Sequence, residues 1–218
     1  MYIDKIDKVF QNLQKNIFNP KTELKYNNAY TFLISVVLSA QATDKSVNIA
    51  TKQLFKVVKK PDAMIQLGER RLKNFIKTIG LYNSKARNII NLSKILIEKY
   101  NGKIPSDFKL LTSLPGVGNK TASVYQNEIL NIPRIAVDTH VLRVSNRIGF
   151  VKTNNPDETQ IILESIIPKK WLKSAHHLLI LHGRYTCKSQ KPLCGDCVIR
   201  KHCRYIKSEK NKKNISSK

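Results

Sequence analysis

The sequence predicts an all-α protein, and three observations support this fold class. Apolar residues recur at helical spacing, for example at Val47, Ala50 and Leu54, which lie three or four positions apart. Residues that typically begin or end helices flank such segments. No segment keeps the apolar–polar alternation of a β-strand for more than a few positions.

The same patterns predict where individual helices lie. Asn155-Pro156-Asp157-Glu158 is a strong helix start, because a capping residue, a proline at the first position and two acids meet the positive end of the helix dipole. Helices are predicted over residues 43–58, 84–100, 139–147, 156–167 and 171–182, with another that begins near residue 119. Asp44 or Thr43 is predicted to cap the first of these helices. The predicted stops are Asn101-Gly102, Gly149 and Gly183.

The charge of the chain indicates a polyanionic partner. Its 218 residues carry 39 Lys+Arg against 15 Asp+Glu, a net charge of +24, for which nucleic acid is the usual partner. A genome rich in Lys, Asn and Ile codons would also raise the lysine content, and charge alone does not exclude RNA or an anionic membrane surface. The length allows one large domain or two small ones, and residues 207–218 are predicted to be a disordered basic tail.

The sequence predicts a soluble, cytoplasmic protein. The N-terminal residues MYIDKIDKVFQNL lack the apolar core of a secretory signal. The longest apolar run, Phe32 to Ala40, is too short to span a bilayer and is interrupted by serines. We therefore expect no membrane association.

Four clustered cysteines indicate a metal centre. All the cysteines of the chain lie in one short segment with the spacing C-x6-C-x2-C-x5-C, namely Cys187, Cys194, Cys197 and Cys203. Thiolates that converge on one centre are typical of zinc sites and of iron–sulfur clusters, and the spacing alone does not choose between them. Two disulfides are the alternative, but they would need the secretory context that the sequence lacks.

A glycine turn followed by a lysine forms a candidate anion site. In Leu114-Pro115-Gly116-Val117-Gly118, two glycines allow a tight turn that exposes backbone amides, and the helix predicted from about residue 119 would point its first amides the same way. Leu114 and Val117 are predicted to anchor the turn in the core. An ordinary connection between helices is the alternative. Lys120 would lie in the first turn of that helix, where the dipole disfavours an ammonium, so it is a candidate nucleophile or a phosphate contact.

One carboxylate lies between apolar residues in the segment IAVDTHVL. Asp138 or Thr139 is predicted to cap the helix that ends before Gly149. A helix cap is the more common role for such an aspartate. An acid held there near a lysine nucleophile could also stabilise positive charge on a sugar ring during removal of a base.

The segments LPGVGNKTA, IAVDTH and LHGRYTC, together with the cysteine spacing, closely resemble endonuclease III. That family comprises DNA glycosylases with AP lyase activity in the helix-hairpin-helix superfamily, and the resemblance extends from about Tyr30 to Cys203. It implies a two-lobed all-α fold with DNA in the cleft between the lobes. One lobe would contain residues 21–132 and the hairpin. The other would combine residues 1–20 with 133–206 and bind a [4Fe–4S] cluster through the four cysteines.

The resemblance also implies roles for individual residues. Lys120 matches the catalytic lysine and Asp138 the catalytic aspartate. Gln41 matches a residue that fills the gap left by a flipped base, and Leu81 one that wedges into the duplex. The hairpin residues Leu114, Gly116 and Gly118, and Lys191 in the cysteine loop, match contacts to the DNA backbone. Without the resemblance, Gln41 would be interpreted as a polar helix end, Leu81 as a core residue and Lys191 as a solvated surface lysine.

The implied function is base excision repair of duplex DNA that contains oxidised pyrimidines or abasic sites. A monomer, associated with the nucleoid of a bacterium, is expected to remove the base and nick the strand through a lysine Schiff base. An adenine-specific mismatch glycosylase is disfavoured by Lys120 and by the short chain, and a non-catalytic iron–sulfur protein would give Lys120 and Asp138 no purpose. Departures from the family pattern are modest: Asn119 removes a charge beside the hairpin, while Gln126 and Ser145 are expected to affect only packing.

Overall fold

The protein is all-helical throughout the residues described by the structure, a computed structural model that describes residues 2–18, 20–206 and 208. Those residues contain no strand, so the predicted fold class is confirmed. Only Ser208 of the predicted tail, residues 207–218, lies within the described residues. The helices are α1 (Tyr2–Asn16), α2 (Ala29–Ser39), α3 (Asp44–Val57), α4 (Pro61–Ile76), α5 (Tyr82–Tyr100), α6 (Phe108–Thr112), α7 (Asn119–Glu128), α8 (Thr139–Ile148), α9 (Pro156–Ile166) and α10 (Lys169–Tyr185), followed by a 3-10 turn at Arg200–His202.

The chain divides into two compact units. We call Glu23–Ile132 the continuous unit, because one stretch of chain forms it, and Met1–Thr22 with Pro133–Lys218 the split unit. No described helix is long and apolar enough to cross a membrane.

The continuous unit is built around α2. Residues 30–38 of this helix are all buried, which is the expected environment for a helix that is apolar on every side. Asn28 caps its start by accepting a hydrogen bond from the backbone N–H of Thr31, whose hydroxyl completes a capping box. Helices α3, α5 and α7 pack against α2. Burial of a side chain such as Phe32, which is fully enclosed, stabilises the unit by about 1.5–3 kcal/mol.

The core of the split unit forms where α1 and α8 pack on α10. Phe10 of α1 is fully buried between two aromatic rings, with ring centroids 6.1 Å from Phe150 and 5.9 Å from Trp171. The indole N–H of Trp171 donates to Asp7 at 2.7 Å, so the apolar packing carries one satisfied polar contact. This core contacts both the start of α8 and the cysteine loop.

Several helix limits agree with the sequence predictions. Thr43 caps α3, Asn155 caps α9, and Gly149 ends α8 in the left-handed conformation at φ 87°. The helix that the sequence places at Ser84 begins two residues earlier, at Tyr82, because Leu81 already turns the chain at φ 59°.

The predicted stop at Gly183 is wrong, since α10 continues to Tyr185. A Cβ at Gly183 would lie 2.9 Å from Cβ of His140 and 3.1 Å from Cγ2 of Val144. Gly183 therefore allows α8 and α10 to approach closely, and its small size serves packing rather than termination.

Candidate active site and cysteine cluster

The predicted glycine turn is a hairpin between α6 and α7. Leu114 and Val117 are buried, as predicted, and the N–H of Val117 donates to the carbonyl of Leu114 at 3.0 Å. Because the Leu114 side chain belongs to the core, any contribution it makes to DNA binding falls to its backbone. Gly116 has φ 80°, and a Cβ there would lie 3.2 Å from Cβ of Asn88, so both conformation and space favour glycine. Gly118 is the N-cap of α7, with open space where a Cβ would be.

Lys120 is the second residue of α7 and is exposed. The buried residues that follow it, Thr121 to Asn127, fix the helix against the core of the continuous unit. The lysine therefore extends from a rigid element next to the hairpin. An exposed amine in that position can react with an electrophile that the hairpin brings to it.

Of the two candidate caps, Asp138 and Thr139, Asp138 is the N-cap of α8. Its Oδ1 accepts hydrogen bonds from the backbone N–H groups of His140 at 2.8 Å and Val141 at 2.9 Å. The preceding residues, Ile135 to Val137, are buried, so the chain on both sides of the carboxylate is held. The group is half-buried and has a fixed orientation, as a carboxylate that stabilises developing charge requires.

Two arginines of α8 join that helix to the cysteine loop. The Nη2 of Arg143 donates to the carbonyls of Gly183 at 2.9 Å and Cys187 at 3.1 Å, and it lies 3.2 Å from Nδ1 of His140. Burial lowers the pKa of His140, while the nearby Asp138 carboxylate opposes that shift. The ring nitrogen is therefore suited to accept from Arg143. One helix carries Asp138 at its start and holds Cys187 through its middle.

Arg147 makes the second connection. Its guanidinium donates to the carbonyls of Lys188 at 2.7 Å and Ser189 at 2.9 Å, lies 3.5 Å from Sγ of Cys187, and covers the ring of Tyr205 at 4.8 Å. Sequence reasoning missed both arginines. Their spacing of four residues, one helical turn apart downstream of Asp138, is the pattern that could have identified them.

The four cysteines line one cavity, and none of them forms a disulfide. Cys203 is buried and the other three are half-buried. Burial raises the pKa of Cys197 and of Cys194, and the neighbouring cysteines raise both further. Within the described parts of the chain, no group of three or more His, Cys, Asp or Glu side chains is arranged to hold a single metal ion.

The residues around this cavity fit a metal–sulfur group. Soft thiolates are the preferred ligands of iron–sulfur clusters, and the positive charge of Arg147 partly opposes the rise in the pKa of Cys194 that burial causes. Burial lowers the pKa of His182, which lies 3.7 Å from Sγ of Cys197, to about 4. That imidazole is neutral at pH 7, so it adds no second charge beside the arginine.

The remaining predicted DNA contacts share an unusual backbone conformation. In the described part of the chain, five residues other than glycine have positive φ, and two of them are asparagines, which tolerate it. The other three are Gln41 (φ 53°), Leu81 (φ 59°) and Lys191 (φ 47°), and all three are exposed. Leu81 is 62% exposed, so it is not the core residue that its apolar character would indicate. Backbone strain of this kind often marks functional positions.

Comparison with known proteins establishes the family. The profile of the HhH-GPD superfamily of base excision DNA repair proteins matches residues 34–169. Endonuclease III of Rickettsia conorii is 54% identical over 200 residues, which cover 92% of this chain and 95% of that protein. The chain belongs to the endonuclease III family. Endonuclease III of Escherichia coli K12 is 48% identical over 197 residues, which cover 90% of the chain and 93% of that protein.

Solved structures agree with that assignment. An endonuclease III–DNA covalent intermediate, trapped as an estranged-adenine complex, superposes with a TM-score of 0.90 and 42% identity, covering 95% of this chain and 98% of that one. A thermostable thymine-DNA glycosylase has the same fold, with a TM-score of 0.84 at 22% identity. Endonuclease III is a bifunctional DNA glycosylase and AP lyase, and the chain is a base excision repair enzyme of that class.

Proposed function

We propose that the chain removes oxidised pyrimidines from duplex DNA and then cuts the strand at the resulting abasic site, with Lys120 as nucleophile. The exposed amine of Lys120, in the first turn of α7 beside the Gly116–Gly118 hairpin, is the observation that carries this proposal. Hairpin amides and the helix start can bind the phosphates that flank a lesion, while the lysine reaches the sugar.

Lys120 would act by covalent catalysis. Its amine attacks C1′ of the lesion nucleotide and the glycosidic bond to the base breaks, so the bonding electrons leave with the base. The sugar ring then opens at the C1′–O4′ bond, O4′ takes up a proton, and the nitrogen forms an imine with C1′. That imine acidifies a C2′ proton. Loss of that proton breaks the bond to the 3′ oxygen and nicks the strand by β-elimination. The damaged nucleotide must first leave the base stack, because C1′ is inaccessible within the duplex.

Asp138 would stabilise the positive charge that develops on the sugar as the base departs. Its two backbone hydrogen bonds at 2.8 and 2.9 Å hold the carboxylate in one orientation, so it needs little reorganisation during the reaction. The same group can assist the proton transfers that follow.

Gln41 and Leu81 would stabilise the opened duplex. Leu81 is exposed on a tight turn at the start of α5, where an apolar side chain can wedge between base steps. Gln41 offers an amide to the base whose partner has been flipped out. The net charge of +24 supplies general attraction to the phosphate backbone, which weakens as salt rises.

The four cysteines would hold a [4Fe–4S] cluster, which is a usual thiolate-bound group for such a set. The group would fix the loop from Cys187 to Cys203 and so present Lys191, exposed at φ 47°, to a DNA phosphate. We expect the enzyme to act as a monomer and to associate with the bacterial nucleoid through DNA.

Borohydride trapping tests the nucleophile. Borohydride reduces an imine to a stable amine, so wild-type protein with lesion DNA should give a covalent complex, and Lys120→Ala should give none. Lys109→Ala is the matched control, because Lys109 is an exposed lysine of α6, the helix that precedes the hairpin, and its loss should leave trapping intact. Trapping that survives Lys120→Ala, or no trapping by wild type, contradicts the assignment.

Three further measurements test the finer parts of the proposal. A panel of duplexes with oxidised pyrimidines, oxidised purines and mismatches should show excision of the oxidised pyrimidines first. Purified protein should contain iron and sulfide and be yellow-brown, whereas colourless protein loaded with zinc would overturn the cluster assignment. Sedimentation should give the mass of one 25.0 kDa chain.

A further inference from the structure

A buried lysine of the continuous unit has no part in the proposed chemistry. Lys85 of α5 is only 6% exposed, and its Nζ donates hydrogen bonds to the carbonyls of Leu38 at 2.9 Å and Ala40 at 2.6 Å. Burial lowers its pKa, which shows that desolvation of the ammonium works against its charge. Lysines are rarely enclosed in this way unless their donors are used.

The two carbonyls that Lys85 binds lie at the end of α2. The last carbonyls of a helix have no partner within it and commonly need a left-handed glycine cap. Here the C-cap Ala40 has φ −56° instead. The Ser39 hydroxyl donates to the carbonyl of Val36, and Lys85 supplies donors from a different helix. A cation also suits the negative end of the α2 dipole.

Gln41 directly follows the end of α2 that Lys85 binds. Its φ of 53° is a conformation that residues with a Cβ keep only when their surroundings impose it. Since Ala40 is the neighbouring residue, the 2.6 Å bond from Lys85 fixes the chain at the point where the left-handed turn begins.

The same lysine is tied to the turn that carries Leu81. Lys85 lies one helical turn after Leu81, and its N–H donates to the Leu81 carbonyl at 3.0 Å. A Cβ built on Gly80 would lie 4.0 Å from the carbonyl oxygen of Gln41, so the two exposed turns are neighbours. Lys85 therefore connects both turns, through its backbone to one and through its side chain to the other.

We propose that Lys85 is a positioning residue for the two side chains that enter the duplex: it holds Gln41 at a fixed separation from Leu81. This inference rests on the proposed function, since it assumes that both residues insert into DNA. A rigid spacing matters because the wedge and the gap-filling amide must meet adjacent positions of the same base stack. A lysine that only stabilised the fold would affect Gln41-dependent and Gln41-independent steps alike.

A double-mutant cycle separates these two roles. Lys85→Met keeps the length of the side chain but removes its donors, and we expect single-turnover excision of a paired lesion to slow by about 100-fold, as small misplacements at active sites do. In the Gln41→Ala background the same substitution should produce no further loss, because the two residues act through one interaction. Lys94→Met is the matched control, since Lys94 is an exposed lysine of the same helix, and it should leave the rate unchanged.

Two outcomes would overturn the inference: unchanged excision in Lys85→Met, or an equal loss with and without Gln41. If Lys85→Met does not fold by circular dichroism, Lys85→Arg takes its place in the cycle, with a smaller expected loss that must again vanish in the Gln41→Ala background. Excision by the wild type is the separate test of the proposed function. An active wild type with independent, additive effects rejects the positioning role alone, whereas an inactive wild type rejects the proposed function.

Fluorescence of 2-aminopurine opposite an abasic-site analogue gives a readout that needs no turnover. Wild-type protein should change the fluorescence as Gln41 enters the gap, and Lys85→Met should bind the duplex without that change. A full fluorescence change with Lys85→Met would contradict the positioning role of Lys85.

Discussion

Two helices of the chain begin in opposite ways. Helix α7 starts after Gly118, which has no side chain to cap it, and carries Lys120 at its second position. Helix α8 starts after Asp138, whose carboxylate accepts hydrogen bonds from two backbone N–H groups of the first turn. Because a helix start attracts anions, the first is suited to an anion from outside the chain, while the second already holds one of its own.

The difference shows how one physical property can serve two purposes. In the proposed mechanism, the start of α7 and the hairpin attract a phosphate, and Lys120 acts on the sugar attached to it. At α8, the same attraction orients the Asp138 carboxylate, for which we propose a role in catalysis. Replacing Gly118 with a capping acid should therefore stabilise α7 but weaken DNA binding. Replacing Asp138 with a neutral capping residue should slow catalysis but leave the stability of α8 unchanged.

The largest effect is expected from Asp138→Asn. Asparagine caps helices about as well as aspartate, so the melting temperature should stay close to that of the wild type. Loss of the charge should slow lesion excision by about 10²–10⁴-fold, with binding of lesion DNA retained. Single-turnover kinetics measure the excision rate, and thermal denaturation measures the melting temperature. Asp157→Asn, in the exposed first turn of α9, is the control. Normal turnover in Asp138→Asn would reject its catalytic role.

Gly118→Asp would give α7 the start that α8 has. The new carboxylate should stabilise the helix by a few tenths of a kcal/mol, and there is open space for it. It should also repel the phosphate and weaken duplex binding about tenfold. Gly118→Asn, with the same shape but no charge, should weaken binding less. Equal affinities for wild type and both variants, measured by fluorescence anisotropy, would show that α7 does not bind phosphate.

Gly116→Ala tests the hairpin that precedes α7. A left-handed alanine costs roughly 1–2 kcal/mol, and its Cβ would also meet Asn88 at 3.2 Å and Val37 at 3.3 Å. Gly102→Ala is the control, because Gly102 has a similar φ of 74° with nothing within 4 Å. Denaturant unfolding should show a larger loss of stability for Gly116→Ala. Equal losses would mean that the packed neighbours give way freely.

The smallest effect concerns a third helix start. Helix α10 has no side-chain cap of its own, and Asp7 of α1 lies 2.6 Å from Lys170 and 2.7 Å from the indole nitrogen of Trp171 in its first turn. The hydrogen bonds from Lys170 and Trp171 hold the pKa of the Asp7 carboxyl below its usual range.

A carboxyl with a lowered pKa stabilises the folded state above its unfolded pKa of about 3.9, and that stabilisation is lost as pH falls through the folded value. Asp7→Asn should therefore lower the melting temperature at pH 7. The difference in melting temperature between this variant and the wild type should disappear below about pH 4. A difference in melting temperature that persists at pH 2 would show that packing at Asp7, and not its charge, stabilises the wild type.

Features that depend on neighbouring residues in the chain could be predicted from the sequence. Caps at Thr43, Asp138 and Asn155, the left-handed stop at Gly149 and the buried Leu114 of the hairpin all follow from local rules. These rules depend on hydrogen bonds and spacing within a few residues, so no tertiary information is needed.

Predictions failed where packing between distant segments determines the role of a residue. Gly183 looked like a helix stop but is a point of contact with His140. The sequence does not predict the contacts of Lys85 and Arg143, because a lysine or an arginine on a helix is ordinary until its partners are known. Their partners, the carbonyls of Ala40 and Cys187, lie 45 and 44 residues away in the chain.

The sequence by itself determined the family, the all-α fold class and the candidate residues Lys120 and Asp138, because motifs and caps are local patterns with few alternatives. Only the tertiary structure decided that Leu81 is exposed, that Gln41 lies in a left-handed turn beside Gly80, and that a buried lysine holds that turn. Whether a side chain is buried or strained depends on which distant segments pack against it, and one segment of sequence does not contain that information.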